Sequence, residues 1–223
     1  MTTIEPRSTV ERVYAHRFSD EDAIGKDRMW REICRFLQRY VPERGVVLDL
    51  ACDRGDFIRN IRARERWASD LRDVSPHLPE DVRFVRSDGL ALADRLPAEH
   101  FDVVFMSNYL EHLPSGEVVV EQLRVAHDLV RPGGRVVVLQ PNIRLVGQRY
   151  WDFVDHETAL TERSLVEAAS LAGFETDDLI VRFLPFTTKS RLPQGPLLVR
   201  AYLAFRPAWL LLGRQTLYVG RRV

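Results

Sequence analysis

The sequence predicts an α/β fold in which a mostly parallel sheet carries helices on both faces. Short apolar runs typical of buried strands alternate along the chain with segments of helical periodicity. The runs are apolar at successive positions, as expected of strands that are covered on both faces. The length of 223 residues allows one sizeable core and is short for two.

The individual elements follow from apolar periodicity and from the residues that interrupt it. Strands are expected at 46–50, 66–70, 82–85, 101–106, 135–139, 179–183 and 215–219. Helices are expected at 22–40, 57–64, 117–129 and 162–172, with Pro42 and Gly173 marking two of their ends. We therefore predict one domain, with N-terminal cap helices at 1–44, a ligand-binding core at 45–183 and a C-terminal segment with the last strand at 184–223.

Charge is balanced overall but unevenly distributed. The 32 basic and 32 acidic residues cancel, so general attraction to nucleic acid is not indicated. Residues 179–223 nevertheless hold eight basic residues and no acidic one. This basic and apolar tail favours an anionic partner or surface.

The start of the chain and its two cysteines favour a cytoplasmic protein. The first residues lack the apolar run of a signal peptide, and no stretch is long enough to predict a transmembrane helix. Cys34 and Cys52 have no metal-ligand spacing, so we expect reduced thiols and no metal site.

Polar residues follow five of the predicted strands, at the edge where an open α/β sheet binds its ligand. Three of the strands supply a carboxylate, from Asp49, Asp70 and Asp88. Carboxylates accept hydrogen bonds from ribose hydroxyls and from an exocyclic amine, and they attract a cation. A phosphate-rich ligand would favour glycines and basic groups instead. The strand-end residues are Asp49 to Gly55, Asp70, Asp88 with Gly89, Ser107 with Asn108, and Gln140 to Asn142.

The segment VVLDLACDRG resembles the first motif of class I S-adenosylmethionine-dependent methyltransferases, of the type 11-like kind. The resemblance continues in order through WASD, RSDGLAL, FDVVFMSNYLEHLP and LVRPGGRVVVLQPN, and covers roughly residues 45–175. It implies a Rossmann-like sheet of seven mostly parallel strands and S-adenosylmethionine as the cofactor.

The resemblance also implies cofactor contacts for the matching residues. Asp49 would lie near the methionine ammonium group, Asp70 would accept from the ribose hydroxyls, and Asp88 would accept from the adenine amine. The other implied contacts are Ala51, Cys52, Asp53, Gly55, Leu71, Gly89, Leu90, Ser107, Asn108 and, in an N-terminal closing segment, Tyr14 and Arg17.

One departure from the family pattern bears on cofactor binding. The loop has glycine at three alternating positions in the family, and these positions are Ala51, Asp53 and Gly55 in this chain. An aspartate adopts the left-handed backbone at some cost, and its carboxylate would repel that of the cofactor. This departure keeps open the alternative of a catalytically lapsed methyltransferase fold that serves as a binding protein.

Two histidines are candidates for catalysis if the acceptor is a hydroxyl, which needs a general base. His156 lies in a cluster of aromatic and acidic residues, and Asp155 could orient its ring. His112 follows the fourth strand. The alternatives are a structural role for His112 and a backbone-bonded loop position for His156.

The acceptor is the least determined part of the prediction. Residues 184–213 combine apolar residues with Arg200 and Arg206, which fits either a packed helical hairpin, also as a homodimer contact, or a peripheral membrane contact for a lipid-linked or anionic substrate. Lys189 and Arg191 could hold a phosphate. The tail resembles those of methyltransferases near bacterial polysaccharide genes.

We therefore expect methyl transfer to a small-molecule hydroxyl, with a sugar or glycan intermediate as the leading acceptor. N-methylation of an amino sugar or another metabolite is the alternative within the same family. A dehydrogenase is disfavoured because the Gly-x-Gly-x-x-Gly pattern is absent after the first strand. Nucleic-acid binding is disfavoured because no basic stripe accompanies a known motif.

Overall fold

Seven strands and seven α-helices make up the part of the chain that the computed structural model describes, residues 23–186 and 195–223. The strands are β1 (Val46–Leu50), β2 (Glu65–Asp70), β3 (Val82–Arg86), β4 (Phe101–Ser107), β5 (Val130–Pro141), β6 (Phe174–Ile180) and β7 (Gln215–Arg222). The helices are α1 (Ala23–Leu37), α2 (Asp56–Asn60), α3 (Gly116–Leu129), α4 (Ile143–Val146), α5 (Glu162–Leu171), α6 (Pro196–Ala204) and α7 (Arg206–Leu212).

The strands form one sheet in the order β3-β2-β1-β4-β5-β7-β6. The first five strands pair in parallel, and β7 runs antiparallel between β5 and β6. The predicted fold class, an α/β protein with a mostly parallel seven-stranded sheet, is therefore confirmed. Because β1 to β5 are parallel, their carboxyl ends lie together at one edge of the sheet.

The sheet separates two hydrophobic layers, which explains why its central strands are apolar on both faces. All five residues of β1 are buried. Val46, Leu48 and Leu50 pack in the layer that contains apolar residues of α3 and α5. Val47 packs in the other layer, with residues of α1, α2, α6 and α7.

Helix ends are fixed by side chains that the sequence places there. Ser115 precedes α3, and its hydroxyl accepts a hydrogen bond from Val118 N at 3.3 Å. Thr161 and Ser164 form a reciprocal capping box at the start of α5. Such caps satisfy amide groups that a helix start leaves without partners, each for about 1 kcal/mol.

The structure corrects three predicted elements. The strand expected at 135–139 is the longer β5, which runs from Val130 to Pro141. The strand expected at 179–183 is β6, which starts at Phe174 and ends at Ile180. It begins directly after Gly173, and a register shift between Thr176 and Asp178 breaks the apolar alternation that would have indicated it. The helix expected at 57–64 is the shorter α2, because the backbone is already extended at Ile61.

The C-terminal apolar segment forms two short helices, α6 and α7, rather than one long one. Pro207 lies in the first turn of α7, where its missing amide proton costs nothing. Trp209 of α7 is only 5% exposed, and its ring packs against Phe36 and Phe183 with centroids 5.6 and 5.5 Å away. Its Nε1 donates to the carbonyl of Tyr202 at 2.8 Å. Trp209 thus anchors this segment to the sheet layer.

The opposite side of α6 and α7 is rich in exposed apolar side chains. The exposed residues are Leu197, Leu198, Phe205, Leu210, Leu211 and Leu212. None of the helices in the described part of the chain is both long enough and apolar enough to cross a bilayer.

Replacing Trp209 with alanine should destabilise the protein by about 3–5 kcal/mol, because it opens a cavity between α7 and the sheet and removes a buried donor. Leu211→Ala on the same helix, where the side chain is 74% exposed, should change stability by less than about 0.5 kcal/mol. Urea unfolding of both variants measures the difference. Equal effects of the two substitutions would contradict the anchoring role of Trp209.

Candidate functional site

The ends of β1, β2 and β3 bring three aspartates to one edge of the sheet. Asp49 lies near the end of β1, Asp70 ends β2, and Asp88 follows β3 by two residues. Burial is the main cause of the raised pKa of Asp49 and of the raised pKa of the Tyr109 phenol. The nearby carboxylate of Asp70 raises both pKa values further, and Asp88 also raises that of Tyr109. The predicted convergence of these residues is therefore present in the structure.

Asp49 is a charged group in a buried position. Its side chain is 3% exposed, and Oδ2 accepts a hydrogen bond from Ile58 N at 3.3 Å. Burial raises the pKa of Asp49 well above the usual carboxyl value, and the nearby carboxylates of Asp56, Asp70 and Asp53 raise it further. A cationic ligand group at this edge would relieve both effects.

The loop after β1 uses a left-handed backbone at three alternating positions. The φ angles are 56° at Ala51, 49° at Asp53 and 76° at Gly55. Only the glycine adopts this conformation without steric cost. Cys52 lies between Ala51 and Asp53, and burial raises the pKa of its thiol. Cys52 is therefore a packing residue rather than a nucleophile.

The Asp53 carboxylate is paired with two basic side chains. Arg72 Nη2 lies 2.9 Å from Oδ1, and Lys26 Nζ lies 3.6 Å from Oδ2. The sequence suggests that Asp53 repels an anionic ligand. These two cations offset part of that repulsion, and they are shared with the neighbouring carboxylates of Asp56 and Asp70.

Asp70 has its acceptor positions filled by protein donors. Its Oδ1 accepts from Arg72 N and Nε, both at 3.0 Å, and its Oδ2 accepts from Asp53 N at 3.0 Å and Arg72 Nη2 at 3.2 Å. Arg72 therefore clamps Asp53 and Asp70 together. Sequence reasoning missed Arg72, although its position two residues after a strand-end aspartate suits such a turn contact.

The segment after β3 is held by a small polar network. Asp88 Oδ1 accepts from Leu90 N at 2.9 Å, and Gly89 O accepts from Gln122 Nε2 at 3.3 Å. Tyr109 Oη donates to Gln122 Oε1 at 2.8 Å. A Cβ atom on Gly89 would collide with the ends of these two side chains, so a larger residue would have to displace them from this network. Leu71, the residue that directly follows β2, is exposed at the same edge of the sheet.

The end of β4 turns sharply at Asn108, which has a left-handed φ of 48°. Asn108 N donates to Leu139 O at 2.9 Å, and its side-chain amide donates to Ser107 Oγ at 3.0 Å. Asparagine tolerates this conformation better than most residues. The turn directs the chain toward Glu111 and His112.

A second polar cluster lies beyond this turn and contains both predicted histidines. The rings of His112 and His156 are 5.2 Å apart between centroids. His112 Nδ1 lies 2.7 Å from the Asp155 carbonyl oxygen and 3.5 Å from Asp155 Oδ2. The predicted grouping of His112, Asp155 and His156 is thus present, but Asp155 contacts His112 through its backbone.

Glu111 is the member of this cluster that sequence reasoning did not single out. Its side chain is 1% exposed, and burial raises its pKa to about 7. Its place in the Glu-His pair before Leu113 is the only sequence signal for it. Of the two aromatic residues that open the segment before His156, Tyr150 is fully buried and Trp151 is 54% exposed.

Four of the residues singled out from the sequence cannot be located relative to either cluster. Tyr14 and Arg17, and likewise Lys189 and Arg191, lie outside the residues that the structure describes.

The chain matches a family model described as a methyltransferase domain over residues 25–179, more than two thirds of its length. Among solved structures, it is similar to a SAM-dependent methyltransferase, a possible histamine N-methyltransferase, from Thermotoga maritima, with 14% identity, a TM-score of 0.67, and coverage of 96% of this chain and 97% of the other. The fold also matches that of an S-adenosylmethionine-dependent methyltransferase from Mesorhizobium loti, with 19% identity, a TM-score of 0.63, and coverage of 84% and 96%.

Asp49→Asn should make the protein more stable at neutral pH, because the amide keeps the shape and can still accept from Ile58 N without a buried charge. The raised pKa means that ionising Asp49 costs stability as pH rises from the ordinary carboxyl value through the folded-state value. The gain over wild type should therefore be larger at about pH 8 than at about pH 5. Urea unfolding at both pH values measures it.

Asp88→Asn is the control for this experiment, because Asp88 is an exposed carboxylate of the same sheet edge. Its effect should stay below about 0.5 kcal/mol at both pH values. A loss of stability in Asp49→Asn that is independent of pH would contradict the buried-charge interpretation.

Proposed function

The chain belongs to the methyltransferase domain family, and from this premise we propose that it transfers a methyl group from S-adenosylmethionine to a hydroxyl of a small molecule, with a sugar or glycan intermediate as the leading acceptor. The observation that carries the proposal is the convergence of Asp49, Asp70 and Asp88 at the ends of β1, β2 and β3. Three carboxylates suit a ligand with an ammonium group, a ribose diol and an adenine amine.

The residues at this edge match the cofactor in chemistry. Asp49 is the buried anion nearest the proposed methionine ammonium, Asp70 the acceptor for the ribose hydroxyls, and Asp88 the acceptor for the adenine amine. Their proposed neighbours around the cofactor are Ala51, Cys52, Asp53, Gly55, Leu71, Gly89, Leu90, Ser107 and Asn108, with Tyr14 and Arg17 from the N-terminal segment.

Arg72 affects how the cofactor is accommodated. Because its backbone and side chain occupy both oxygens of Asp70, ribose hydroxyls must replace at least one of these hydrogen bonds. The guanidinium can keep its contact with Asp53 when it yields one on Asp70. We propose that Arg72 stays in the site and offsets the Asp53 charge beside the cofactor carboxylate.

The cofactor supplies a methyl group already activated on a sulfonium. The acceptor oxygen forms the new O–C bond, the S–C bond breaks with its electron pair on sulfur, and the hydroxyl proton must leave. We propose that His156 and His112 assist this proton loss and that Asp155 positions His112. Holding the reacting atoms in line contributes about 7–11 kcal/mol in well-oriented reactions.

The exposed face of α6 and α7 supports an anionic or lipid-linked acceptor. Its apolar side chains are accompanied by Arg200, Arg206 and Arg214, and by no acidic residue from 195 to 214. Basic and apolar residues together suit the surface of an anionic membrane. Packing of this face against a second copy is the alternative. Both cysteines are free and buried, which supports a reducing cytoplasmic setting, and we propose a bacterial polysaccharide pathway.

Two other functions remain alternatives to O-methylation. An N-methyltransferase would use the same cofactor edge but would not need help to remove a hydroxyl proton. A lapsed methyltransferase fold would keep the sheet and fail to bind the cofactor, for which the strained loop at Asp53 is the motivating observation.

Calorimetric titration of S-adenosylmethionine tests the cofactor assignment. We expect a Kd between about 1 μM and 1 mM, where enzymes commonly bind their substrates. Asp70→Ala should weaken binding by about 10- to 100-fold, because hydrogen bonds to a charged group contribute about 1.5–3 kcal/mol.

The matched control is Asp73→Ala, three residues away and exposed, which should bind like wild type, and NADH should not bind. No binding of S-adenosylmethionine by well-folded protein would reject the enzyme proposal in favour of the lapsed fold.

The role of the histidine cluster is tested by an acceptor screen that measures release of S-adenosylhomocysteine. The panel contains nucleotide sugars, a lipid-linked sugar and amino sugars. With a hydroxyl acceptor, His156→Ala should lower kcat by about 100- to 10,000-fold, because assistance to proton transfer is lost.

His77→Ala, on an exposed turn, is the control and should retain wild-type kcat. Activity on an amine acceptor that survives the loss of His156 would favour the N-methyltransferase instead.

A further inference from the structure

We propose that Glu111, His112 and His156 bind a divalent first-row transition-metal cation that keeps an open coordination position. Each of the three residues offers one ligand atom, and these atoms lie within 4.8 Å of one another. Within residues 23–186 and 195–223, this is the one such group of three or more histidine, cysteine or acidic side chains. Two imidazoles and one carboxylate are a ligand set typical of zinc and iron sites.

The carboxylate of Glu111 has the surroundings of a metal ligand. It is buried, and its Oε2 has no hydrogen-bond partner among the described residues. It also forms no ion pair with a lysine or arginine of the described part of the chain. A buried carboxylate without compensation is costly, and a divalent cation would provide the compensation.

The ring of His112 is oriented as a ligand is. Its Nδ1 lies 2.7 Å from the Asp155 carbonyl oxygen, which can only accept, so Nδ1 carries the proton. The lone pair is then on Nε2, the ring nitrogen that would bind the proposed cation. Metal-ligating histidines characteristically donate their other N–H group to a backbone carbonyl or a carboxylate, and Asp155 offers both.

Backbone contacts hold the two ligand-bearing segments together. Glu157 N and Thr158 N both donate to the carbonyl of Glu111, at 2.8 and 3.0 Å. Tyr150 Oη donates to the carbonyl of Thr158 at 2.6 Å. The His156 ring stacks on Phe153 with centroids 5.0 Å apart. These contacts fix the backbones that carry the three ligand side chains, whose ligand atoms lie within 4.8 Å of one another.

The spacing of candidate ligands along the chain does not predict this metal site. His156 is more than forty residues from the Glu111-His112 pair, so no compact motif indicates the site. In the folded chain, backbone hydrogen bonds bring the segment 153–158 next to Glu111. Asn108 lies three residues before Glu111, which places the cluster next to the turn at the end of β4.

The cation would account for acceptor activation, and this part of the inference rests on the proposed function. A hydroxyl in the open coordination position becomes more acidic, as water does on zinc. Its proton then passes to bulk water, the oxygen forms the O–C bond, and the S–C bond breaks. In this form His112 and His156 are ligands, and the cation replaces the general base expected from the sequence.

Metal binding can be measured without any acceptor. Untagged, chelator-treated protein is titrated calorimetrically with Zn²⁺, Mn²⁺ and Mg²⁺, and the Co²⁺-substituted protein is examined for ligand-field absorption. We expect a stoichiometry near one, tighter binding of Zn²⁺ or Mn²⁺ than of Mg²⁺, and loss of affinity in Glu111→Gln and His156→Asn. The loss should reach at least the roughly 10–100-fold seen when an outer-shell partner is removed.

The control variant is His77→Asn, which removes an exposed histidine far from the cluster in sequence and should keep wild-type metal affinity. Equal loss in this control, or no saturable binding of any of the three cations to wild type, would overturn the inference. Each variant is also titrated with S-adenosylmethionine. Cofactor binding without metal binding rejects the metal site alone, whereas metal binding without cofactor binding rejects the proposed function alone.

Discussion

The parallel pairing of β1 with β2 and β4 is the constraint on which both polar clusters depend. It aligns Asp49 with Ala68 of β2 on one side and with Phe105 of β4 on the other, so the three strands end at the same edge of the sheet. Buried strands cannot slip by one residue without turning their apolar side chains out of both layers. The edge where polar residues gather is therefore fixed by burial of the strands rather than by contacts among the polar residues themselves.

Negative charge is concentrated at this edge, where burial makes it unfavourable for the fold. Asp49 lies beneath a loop in which Ala51 and Asp53 adopt left-handed conformations, and its pKa is raised by burial and by neighbouring carboxylates. Arg72 offsets part of the charge through Asp53 and Asp70. Strain and uncompensated charge that persist in a folded protein point to a ligand-binding role, because neither contributes to stability.

The order of the elements and the placement of the three strand-end aspartates at one edge could be predicted from the sequence, since apolar runs and strand-end aspartates are local signals. β6 could not be placed well, because its polar face and register shift hide the alternation of period two. Arg72 and Glu111 were missed for another reason. A side chain that bridges two loops, or that is buried after a turn, acquires its role from tertiary contacts, which a single sequence does not display.

The edge with the strand-end aspartates and the cluster of Glu111, His112 and His156 are connected by one short segment of backbone. Residues 107–112 start at Ser107, the last residue of β4, turn at the left-handed Asn108, and end at Glu111 and His112. The turn is tied by Asn108 N to the carbonyl of Leu139 on the neighbouring strand. Because in-line transfer requires the reacting atoms to approach within about 3–3.5 Å, a donor and an acceptor held on separate mobile loops would lose much of the benefit of positioning. In the proposed function, residues 107–112 would contribute to both the cofactor side and the acceptor side. Because this segment is hydrogen-bonded to β5, the sheet would fix the distance between the two.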